Sequence, residues 1–358
     1  MNRVRDYGFA PGILKPGPRN DITDVSGVLV GHRTVVDAKA GHRTGVTAIR
    51  PHGGNMFLER VPAGLCIGNG HGKLAGATQL EELGELETPI LLVNTLATGR
   101  AIEALIDWTL AQPGCEGVTS VNAVVGETND SPLNNIRERG IRTSDVLQAL
   151  DDAVADPVQQ GSVGAGAGTM AFGLKGGIGS SSRLVPAACG GWCTAALVQA
   201  NFDGILQIDG RNVGKELAHL WRPDHPAYGS GPGSIMIVVA TDAPVSDRNL
   251  RRMAFRAMAG IARTGANFSN GSGDYALAFA THPEVRRHHA GKTSLTELRR
   301  EVNNEAMSAL FLATIEAVEE AVYNALFAAE SVVEGAPERS AKSLLDRAAG
   351  RFSTGGDA

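Results

Sequence analysis

Short apolar runs alternate with segments of helical periodicity along most of the chain. Buried strands are predicted at residues 28–35, 45–50, 90–96, 118–125, 192–200, 204–208, 234–240 and 275–281. Apolar residues recur at helical spacing in 74–86, 98–112, 145–156, 247–263 and 302–332. The first two strands are close enough in sequence to form a hairpin. Because helices and strands alternate in groups, the pattern favours two packed sheets with helices on both outer faces.

One boundary in this pattern has a chemical interpretation. A Gly/Pro/Ser-rich stretch ends at Gly233, and Ser234 begins an apolar run rich in β-branched residues. If the Gly233–Ser234 peptide is held under strain, the Ser234 hydroxyl can attack the Gly233 carbonyl, and water can cleave the resulting ester. Glycine suits this because it adopts backbone conformations closed to other residues. The alternative is an ordinary surface turn that leads into a core strand.

Cleavage at this boundary would create a new chain terminus with catalytic potential. An α-amine has a reference pKa of about 7.7–8.0, so it can accept a proton at neutral pH. The new amine of Ser234 would then act as general base for the hydroxyl of the same residue.

Composition narrows the class of protein. A net charge of −5, with 43% hydrophobic and 20% charged residues, is typical of a globular protein, and no basic stripe indicates nucleic-acid binding. No apolar run reaches the length of a membrane span, and residues 1–18 lack the apolar core of a signal peptide. The four cysteines show no CxxC spacing, so we expect buried thiols in a reducing compartment, the cytoplasm.

Several stretches have two interpretations or lack regular structure. The polar cluster 126–130 at a strand end is typical of a turn, and also of substrate contacts in α/β proteins. The glycine-dense stretch 161–179 does not match GxGxxG, because Thr169 stands where the last glycine should be. Close backbone packing of two sheet layers is the favoured use of these glycines. Residues 1–25 are expected to form an extended arm, 212–232 an exposed linker and 335–358 a flexible tail.

Five of these stretches together resemble a known family. They are Gly-Glu-Thr-Asn-Asp at 126–130, Lys-Gly-Gly-Ile-Gly-Ser-Ser at 175–181, Val-Gln-Ala-Asn-Phe at 198–202, Gly233-Ser234 with the 240–244 tail, and Asn-Gly-Ser-Gly-Asp at 270–274. The chain resembles the self-cleaving L-aminopeptidase/D-esterase and β-aminopeptidase family (the DmpA/BapA type) over nearly its whole length. The resemblance implies an α/β fold, a four-layer αββα sandwich of the DmpA/ArgJ-like kind, formed by residues 1–358 as a single domain.

The resemblance also implies an activity. The chain would cleave itself into residues 1–233 (α chain) and 234–358 (β chain), which stay together and form a homo-oligomer, a tetramer of αβ units. It would hydrolyse N-terminal residues from short peptides, amino-acid amides and esters without a metal or other cofactor.

Roles for individual residues follow from the same resemblance. Ser234 would be the nucleophile and Asn201 an oxyanion donor. Ser272 and Asp274 would orient and tune the Ser234 amine, and Glu127 would bind the substrate's free amino group. Relatives often have glutamate where this chain has Asp274, and the shorter side chain would either alter reach or be absorbed by the loop. Relatives can also have an oxyanion tyrosine near the Glu127 loop, but none occurs at 129–135 here, so either another donor serves or the oxyanion site is weaker.

Four other functions compete with this interpretation. The ornithine acetyltransferase type and the nylon-oligomer hydrolases also fit a self-cleaving fold, but both use threonine as nucleophile. A conventional serine hydrolase would need His71 as base, and no G-x-S-x-G elbow surrounds Ser234. An uncleaved binding protein of the same fold would leave Ser234 idle.

Overall fold

The computed structural model describes residues 2–217, 233–288, 296, 298–333 and 339–352. Its strands are β1 Leu29–Asp37, β2 His42–Arg50, β3 Glu59–Gly70, β4 Leu74–Ala75, β5 Glu85–Leu86, β6 Ile90–Asn94, β7 Val124–Thr128, β8 Met170–Ala171, β9 Leu174–Lys175, β10 Gly177–Leu184, β11 Cys193–Asn201, β12 Gly233–Thr241, β13 Ser272–Ala280 and β14 Arg287–His288. Its α-helices are α1 Ala77–Leu83, α2 Thr98–Leu110, α3 Thr143–Asp151, α4 Val213–Glu216, α5 Asp247–Arg263, α6 Met307–Phe327 and α7 Leu344–Ala348.

The longer strands form two sheets. The first has the order β10-β11-β12-β13-β3-β14, with β5 also paired to β3, and the second has the order β1-β2-β6-β7-β4. Strands β1 and β2 form the predicted antiparallel hairpin. In the first sheet β11 is antiparallel to β12, whereas β12 and β13 are parallel. The N-terminal ends of β12 and β13 therefore lie side by side with the C-terminal end of β11.

Three apolar clusters separate four layers. One cluster fills the space between the sheets, with Leu197, Met236 and Leu277 from the first sheet and Ile49 and Leu92 from the second. Another joins the outer face of the first sheet to α5 and α6, and a third joins the second sheet to α2 and α3. This arrangement is the predicted αββα sandwich. None of the described helices has the length and apolar character that crossing a bilayer requires.

Some local predictions were wrong. Residues 204–208 do not form a strand, because the Ile205 and Gln207 amides donate to the carbonyls of Gly265 and Thr264 in a facing loop. The predicted strand at 118–125 begins only at Val124. The predicted helix at 74–86 is interrupted by left-handed glycines at 76 and 84, which confine α1 to seven residues.

The glycine-dense stretch contains β10, which the pattern did not predict. A side chain at Gly179 would collide with the Ala321 carbonyl of α6, and a Cβ at Gly166 would lie only 2.4 Å from the Ile178 backbone nitrogen. The absence of a side chain at Gly179 therefore allows α6 to pack closely against the first sheet. The predicted use of these glycines was close packing between two sheets, and at Gly179 the close neighbour is a helix.

The described residues near both ends of the chain pack against the core. In the arm, Val4, Ile22 and Val25 are completely buried. The tail after residue 335 is not uniformly loose, because α7 buries Leu344 against the main core. Most of the predicted 212–232 linker lies outside the described residues, apart from α4 and Leu217.

The four cysteines are free thiols. Cys115 and Cys193 are buried as expected, but Cys66 is only partly buried and Cys189 is exposed. The expectation of four buried thiols was therefore wrong for two of them, since Cys189 lies in the exposed turn between β10 and β11.

Candidate active site

Ser234 and Asn201 face each other across two antiparallel strands. Ser234 is the second residue of β12, and its register partner is Asn201, the last residue of β11. Both residues are 4% exposed. Paired residues point to the same face of a sheet, and this face is the one turned toward the second sheet. The Asn201 Nδ2 atom lies 3.4 Å from the Ser234 Oγ atom.

The orientation of the Asn201 amide is determined by its neighbours. The Met170 backbone N–H donates to Asn201 Oδ1 at 3.0 Å, so that atom must be the carbonyl oxygen. The amide nitrogen consequently faces the serine, and it also donates to the Asn129 carbonyl at 3.1 Å. A donor held in this way could stabilise negative charge that develops beside Ser234.

Close packing around Gly233 favours a residue without a side chain. It lies in β12, where space for a side chain is limited. A Cβ at this position would lie 3.1 Å from the Phe202 Cα atom and 3.4 Å from the Ser272 Oγ atom. Larger residues would therefore push against the backbone that follows Asn201.

Ser272 and Asp274 lie beside the Gly233–Ser234 peptide. Ser272 is the register partner of Gly233 in the parallel strand β13, so both residues belong to a strand that begins three residues before the predicted one at 275–281. The Ser272 hydroxyl donates to Asp274 Oδ1 at 2.6 Å. The shorter aspartate side chain therefore reaches the serine.

Asp274 retains unused capacity to accept hydrogen bonds. It is 2% exposed, and its Oδ2 atom has no hydrogen-bond partner among the described residues. Burial raises the pKa of this carboxyl, while the hydrogen bond from Ser272 acts in the opposite direction. A buried carboxylate oxygen without a donor is costly, so a cationic group next to it would be stabilised.

Asn69 braces the start of β13. Its side-chain amide donates to the carbonyls of Ser269, at 3.0 Å, and of Asn270, at 3.3 Å. It makes a further hydrogen bond to the Ser272 carbonyl. Asn69 is the register partner of Asp274, and a register shift follows immediately at Tyr275. Asn69 therefore holds the segment that presents Ser272.

Glu127 lies at the end of β7 and is 4% exposed. Its Oε1 atom accepts from the Lys73 backbone N–H at 3.1 Å and from Lys73 Nζ at 3.0 Å. Its Oε2 atom accepts from the Thr95 hydroxyl. The 126–130 cluster is therefore part strand and part turn. It is also linked to Ser234, because the Asn129 carbonyl accepts a hydrogen bond from the Asn201 amide that contacts Ser234 Oγ.

Tyr275 is the aromatic residue that the structure brings toward these carboxylates. Its side chain is 5% exposed, and its ring lies against Gly72 and Gly273. Burial, followed by the charges of Glu127 and Asp274, raises the pKa of its hydroxyl. The Tyr275 hydroxyl therefore interacts electrostatically with the carboxylates of both Glu127 and Asp274.

A buried polar network supports the loop that accepts from Asn201. Lys175 is completely buried, and its Nζ donates to the carbonyls of Gly166 and Gly176. Burial, followed by the charge of Arg43, lowers the pKa of Lys175 to about 7. Burial also raises the pKa of Asp130 to about 6, although Thr44 and other donors contact that carboxyl.

Four residues of the site escaped prediction from the sequence. Asn69 and Lys73 lie in the glycine-rich segment Gly-Asn-Gly-His-Gly-Lys, which follows the apolar residues 65–67. Because loops often carry functional residues, the position of this segment could have pointed to these two residues. Thr95 and Met170 had no such signal. His71, the alternative general base, has an exposed side chain, and no hydrogen bond joins its ring to Ser234 in the described part of the chain.

Comparison with known proteins agrees with this geometry. The model of peptidase family S58 matches residues 20–339. The β-peptidyl aminopeptidase BapA of Sphingosinicella xenopeptidilytica is 38% identical over 348 residues, which cover 92% of this chain and 86% of BapA. A β-aminopeptidase structure from Burkholderia sp. aligns with a TM-score of 0.88 at 38% identity, covering 97% of this chain and 96% of the other.

A third comparison concerns the fold. The structure of the L-aminopeptidase D-Ala-esterase/amidase of Ochrobactrum anthropi is described as a variant of the Ntn hydrolase fold. It aligns with a TM-score of 0.87 at 34% identity and covers 99% of this chain and 100% of its own. Because these matches extend over nearly the whole chain and include the site, this protein belongs to peptidase family S58, among the N-terminal-nucleophile aminopeptidases.

Proposed function

We propose that the protein cleaves itself between Gly233 and Ser234 and then uses the new N-terminal serine to release N-terminal residues from small substrates. These substrates are short peptides, amino-acid amides and esters. The observation that carries the proposal is the convergence on one peptide bond of a buried hydroxyl, an oriented amide donor and a buried serine–carboxylate pair. Acyl transfer requires this set: a nucleophile, a base and a donor for the oxyanion.

Self-cleavage follows from the position of Ser234. Its Oγ attacks the Gly233 carbonyl, the C–N bond breaks, and the amide nitrogen takes a proton to become the free amine of Ser234. The resulting ester is hydrolysed by water, which leaves a carboxylate on Gly233 and restores the hydroxyl. Asn201 Nδ2 would donate to the oxygen that becomes negative in each step, and its position 3.4 Å from Ser234 Oγ supports this role.

Turnover uses the same groups. The free amine accepts the hydroxyl proton of Ser234 while Oγ attacks the substrate carbonyl, and it then protonates the leaving amine or alcohol. Water then hydrolyses the acyl ester on Oγ, which releases the acid and restores the Ser234 hydroxyl. Ser272 donates to Asp274 and so keeps its own oxygen available to accept from the Ser234 amine. Glu127 would receive the ammonium group of the substrate, which explains a requirement for a free N-terminus.

Intact mass and a denaturing gel test the cleavage directly. Purified protein should contain two chains, residues 1–233 and 234–358, that remain together under native conditions. Acetylation of the Ser234 amine in the processed protein should abolish hydrolysis of an amino-acid p-nitroanilide. A single wild-type chain with full activity, or normal turnover after capping, would refute the proposal.

Asp274→Asn should change the pH profile as well as the rate. A carboxylate beside an amine favours the ammonium form, so its loss should lower the pKa of the Ser234 amine. Because the free amine is the active form, the acid limb of kcat/KM should move to lower pH. The rate at the optimum should fall about tenfold or more through lost orientation of the base.

Asp274→Glu is the matched control for this prediction, because it keeps the charge and restores the residue common in relatives. It should retain the wild-type acid limb. An unchanged profile in Asp274→Asn would show that the carboxylate does not influence the amine.

Lys73→Met should lower KM for an amino-acid p-nitroanilide and leave kcat nearly unchanged. Lys73 Nζ contacts Glu127 Oε1 while the lysine side chain is 52% exposed, so it occupies the place proposed for the substrate ammonium. A half-exposed ion pair is worth about 0–1 kcal/mol, which limits the decrease to about fivefold. Lys73→Arg should keep the wild-type KM, and Glu127→Gln should raise it. A higher KM in Lys73→Met would mean that the lysine helps to hold the substrate.

The proposal also includes an oligomeric state and a cellular compartment. We expect a homo-oligomer, a tetramer of αβ units, which the native mass in solution would test. The four free thiols fit a reducing compartment such as the cytoplasm.

A further inference from the structure

A groove unrelated to the proposed catalytic residues runs between α1 and α5. Its floor is formed by residues 63–67 of β3, and it comprises two adjoining cavities of about 660 and 210 Å³. Leu65, Glu81, Arg248 and Arg251 line both cavities, so the two form one continuous channel. Five residues of a strand extend about 17 Å, which is a length suited to a peptide rather than to a small ion.

The floor of the groove is the free edge of the first sheet. Ala63 is paired with Phe279 of β13 on one side, and its N–H donates to the Gly84 carbonyl at 2.8 Å on the other. Alternate residues of a strand direct their N–H and C=O groups to the same side. Leu65 and Ile67 therefore present their backbone groups to the groove, where no described strand pairs with them. A free edge of this kind is a template for an added strand.

One wall of the groove is strongly basic. Arg248, Arg251, Arg252 and Arg256 project from α5 along the groove, and Glu81 is the only acidic residue among those lining its larger cavity. None of the four arginines forms an ion pair with a described carboxylate. Arg248 and Arg252 instead share one neutral acceptor, the Asn304 side-chain oxygen, at 2.8 and 3.0 Å.

The arginines also repel one another. Arg248, Arg252 and Arg256 are spaced by four residues, so like charges are stacked along one helix face. Burial, and then the charge of Arg252, lowers the pKa of Arg256, whose guanidinium lies 4.0 Å from the centre of the Phe311 ring. A negatively charged occupant would relieve this repulsion. The larger cavity also offers apolar surface, since Phe255 is 61% and Ile67 46% exposed.

We propose that this groove binds an extended acidic segment of another protein, which adds as a strand to β3. Its backbone would pair with Leu65 and Ile67, and alternate side chains would carry the carboxylates that meet the arginines. The intervening side chains would be apolar. A two-fold axis through the groove would place the four arginines against their own equivalents, which disfavours a symmetric contact with a second copy centred here.

Fluorescence anisotropy with a labelled peptide of alternating glutamate and valine tests the proposal. The label blocks the peptide's N-terminus, so the peptide is not a substrate of the proposed aminopeptidase. Arg248→Glu combined with Arg251→Glu should weaken binding about tenfold or more, because attraction becomes repulsion. The control pair Lys39→Glu and Arg137→Glu lies on exposed segments outside the groove and should have no effect.

Peptide chemistry separates strand addition from simple charge attraction. N-methylation of the alternate residues that face β3 should abolish binding, and a lysine–valine peptide should not bind. Unchanged aminopeptidase activity would show that the Arg248/Arg251 variant is folded. The proposal fails if no acidic peptide binds, if charge reversal or N-methylation leaves affinity unchanged, or if charge reversal lowers the native mass, since a second copy would then fill the groove.

Discussion

Ser234→Ala should leave one uncleaved chain that does not hydrolyse amino-acid p-nitroanilides. The substitution removes the atom that attacks both the Gly233 carbonyl and the substrate, and without cleavage no α-amine is released. Loss of a nucleophile in a comparable hydrolase costs on the order of 10⁴–10⁶ in rate, so activity should fall to background. The fold should survive, because the change removes only one oxygen atom and adds none to this buried position, where Ser234 is 4% exposed. Denaturing electrophoresis, intact mass and initial rates together measure the outcome.

Ser234→Thr is the matched control, since threonine keeps both the hydroxyl and, after cleavage, the amine. It should process, although more slowly, because its extra methyl group must fit beside Asn201. Cleavage that persists in Ser234→Ala would place the reaction at another nucleophile. An active but uncleaved Ser234→Ala protein would exclude the N-terminal-nucleophile mechanism.

Asn201→Asp should lower kcat by about 10²–10³ and leave KM nearly unchanged. Aspartate has the same shape and still accepts from the Met170 N–H, but it has no amide hydrogens to donate. A lost oxyanion donor acts in the transition state, and single donors of this kind contribute about 2.7–4 kcal/mol. Steady-state kinetics on processed protein separates the two parameters. Slower self-cleavage is expected as well, since the same donor serves that step.

Asn201→Ala controls for the structural role of this side chain. It leaves the buried Met170 N–H without a partner, which should destabilise the protein by about 1–3 kcal/mol in thermal or denaturant unfolding. Asn201→Asp should be less destabilised but equally slow. If KM rose while kcat stayed constant, Asn201 would be a substrate contact and not an oxyanion donor.

The predicted fold was correct at the level of its layers because that level depends on local patterns. Eight apolar runs were predicted as strands, and runs such as the one at Ser234 require burial whatever lies next to them. The errors occurred where long-range contacts override the local pattern. Residues 204–208 have strand composition, but the loop at Gly265 satisfies their backbone. The 270–274 stretch has loop composition, but pairing with Gly233 makes its second half a strand.

The residues of the candidate site also differ in whether local sequence patterns could identify them. Ser234 and Gly233 were found from a local boundary, whereas Asn201, Glu127, Ser272 and Asp274 needed the family resemblance. Their contacts could not be predicted, because they join distant positions: Asn69 and Ser272 are 203 residues apart, and Lys73 and Glu127 are 54 apart.

The amino-acid sequence by itself determined the layered α/β architecture, the loop-to-strand boundary at Ser234 and the family, because apolar periodicity and short motifs are properties of neighbouring residues. Tertiary structure alone decided which way the Asn201 amide points, why position 233 favours glycine and which cation sits on Glu127. Each of these depends on a neighbour brought close by folding: the Met170 amide, the Phe202 backbone and the Lys73 ammonium group. Hydrogen bonds and steric contacts act over a few ångströms in space, and distance along the chain does not reveal which groups come that close.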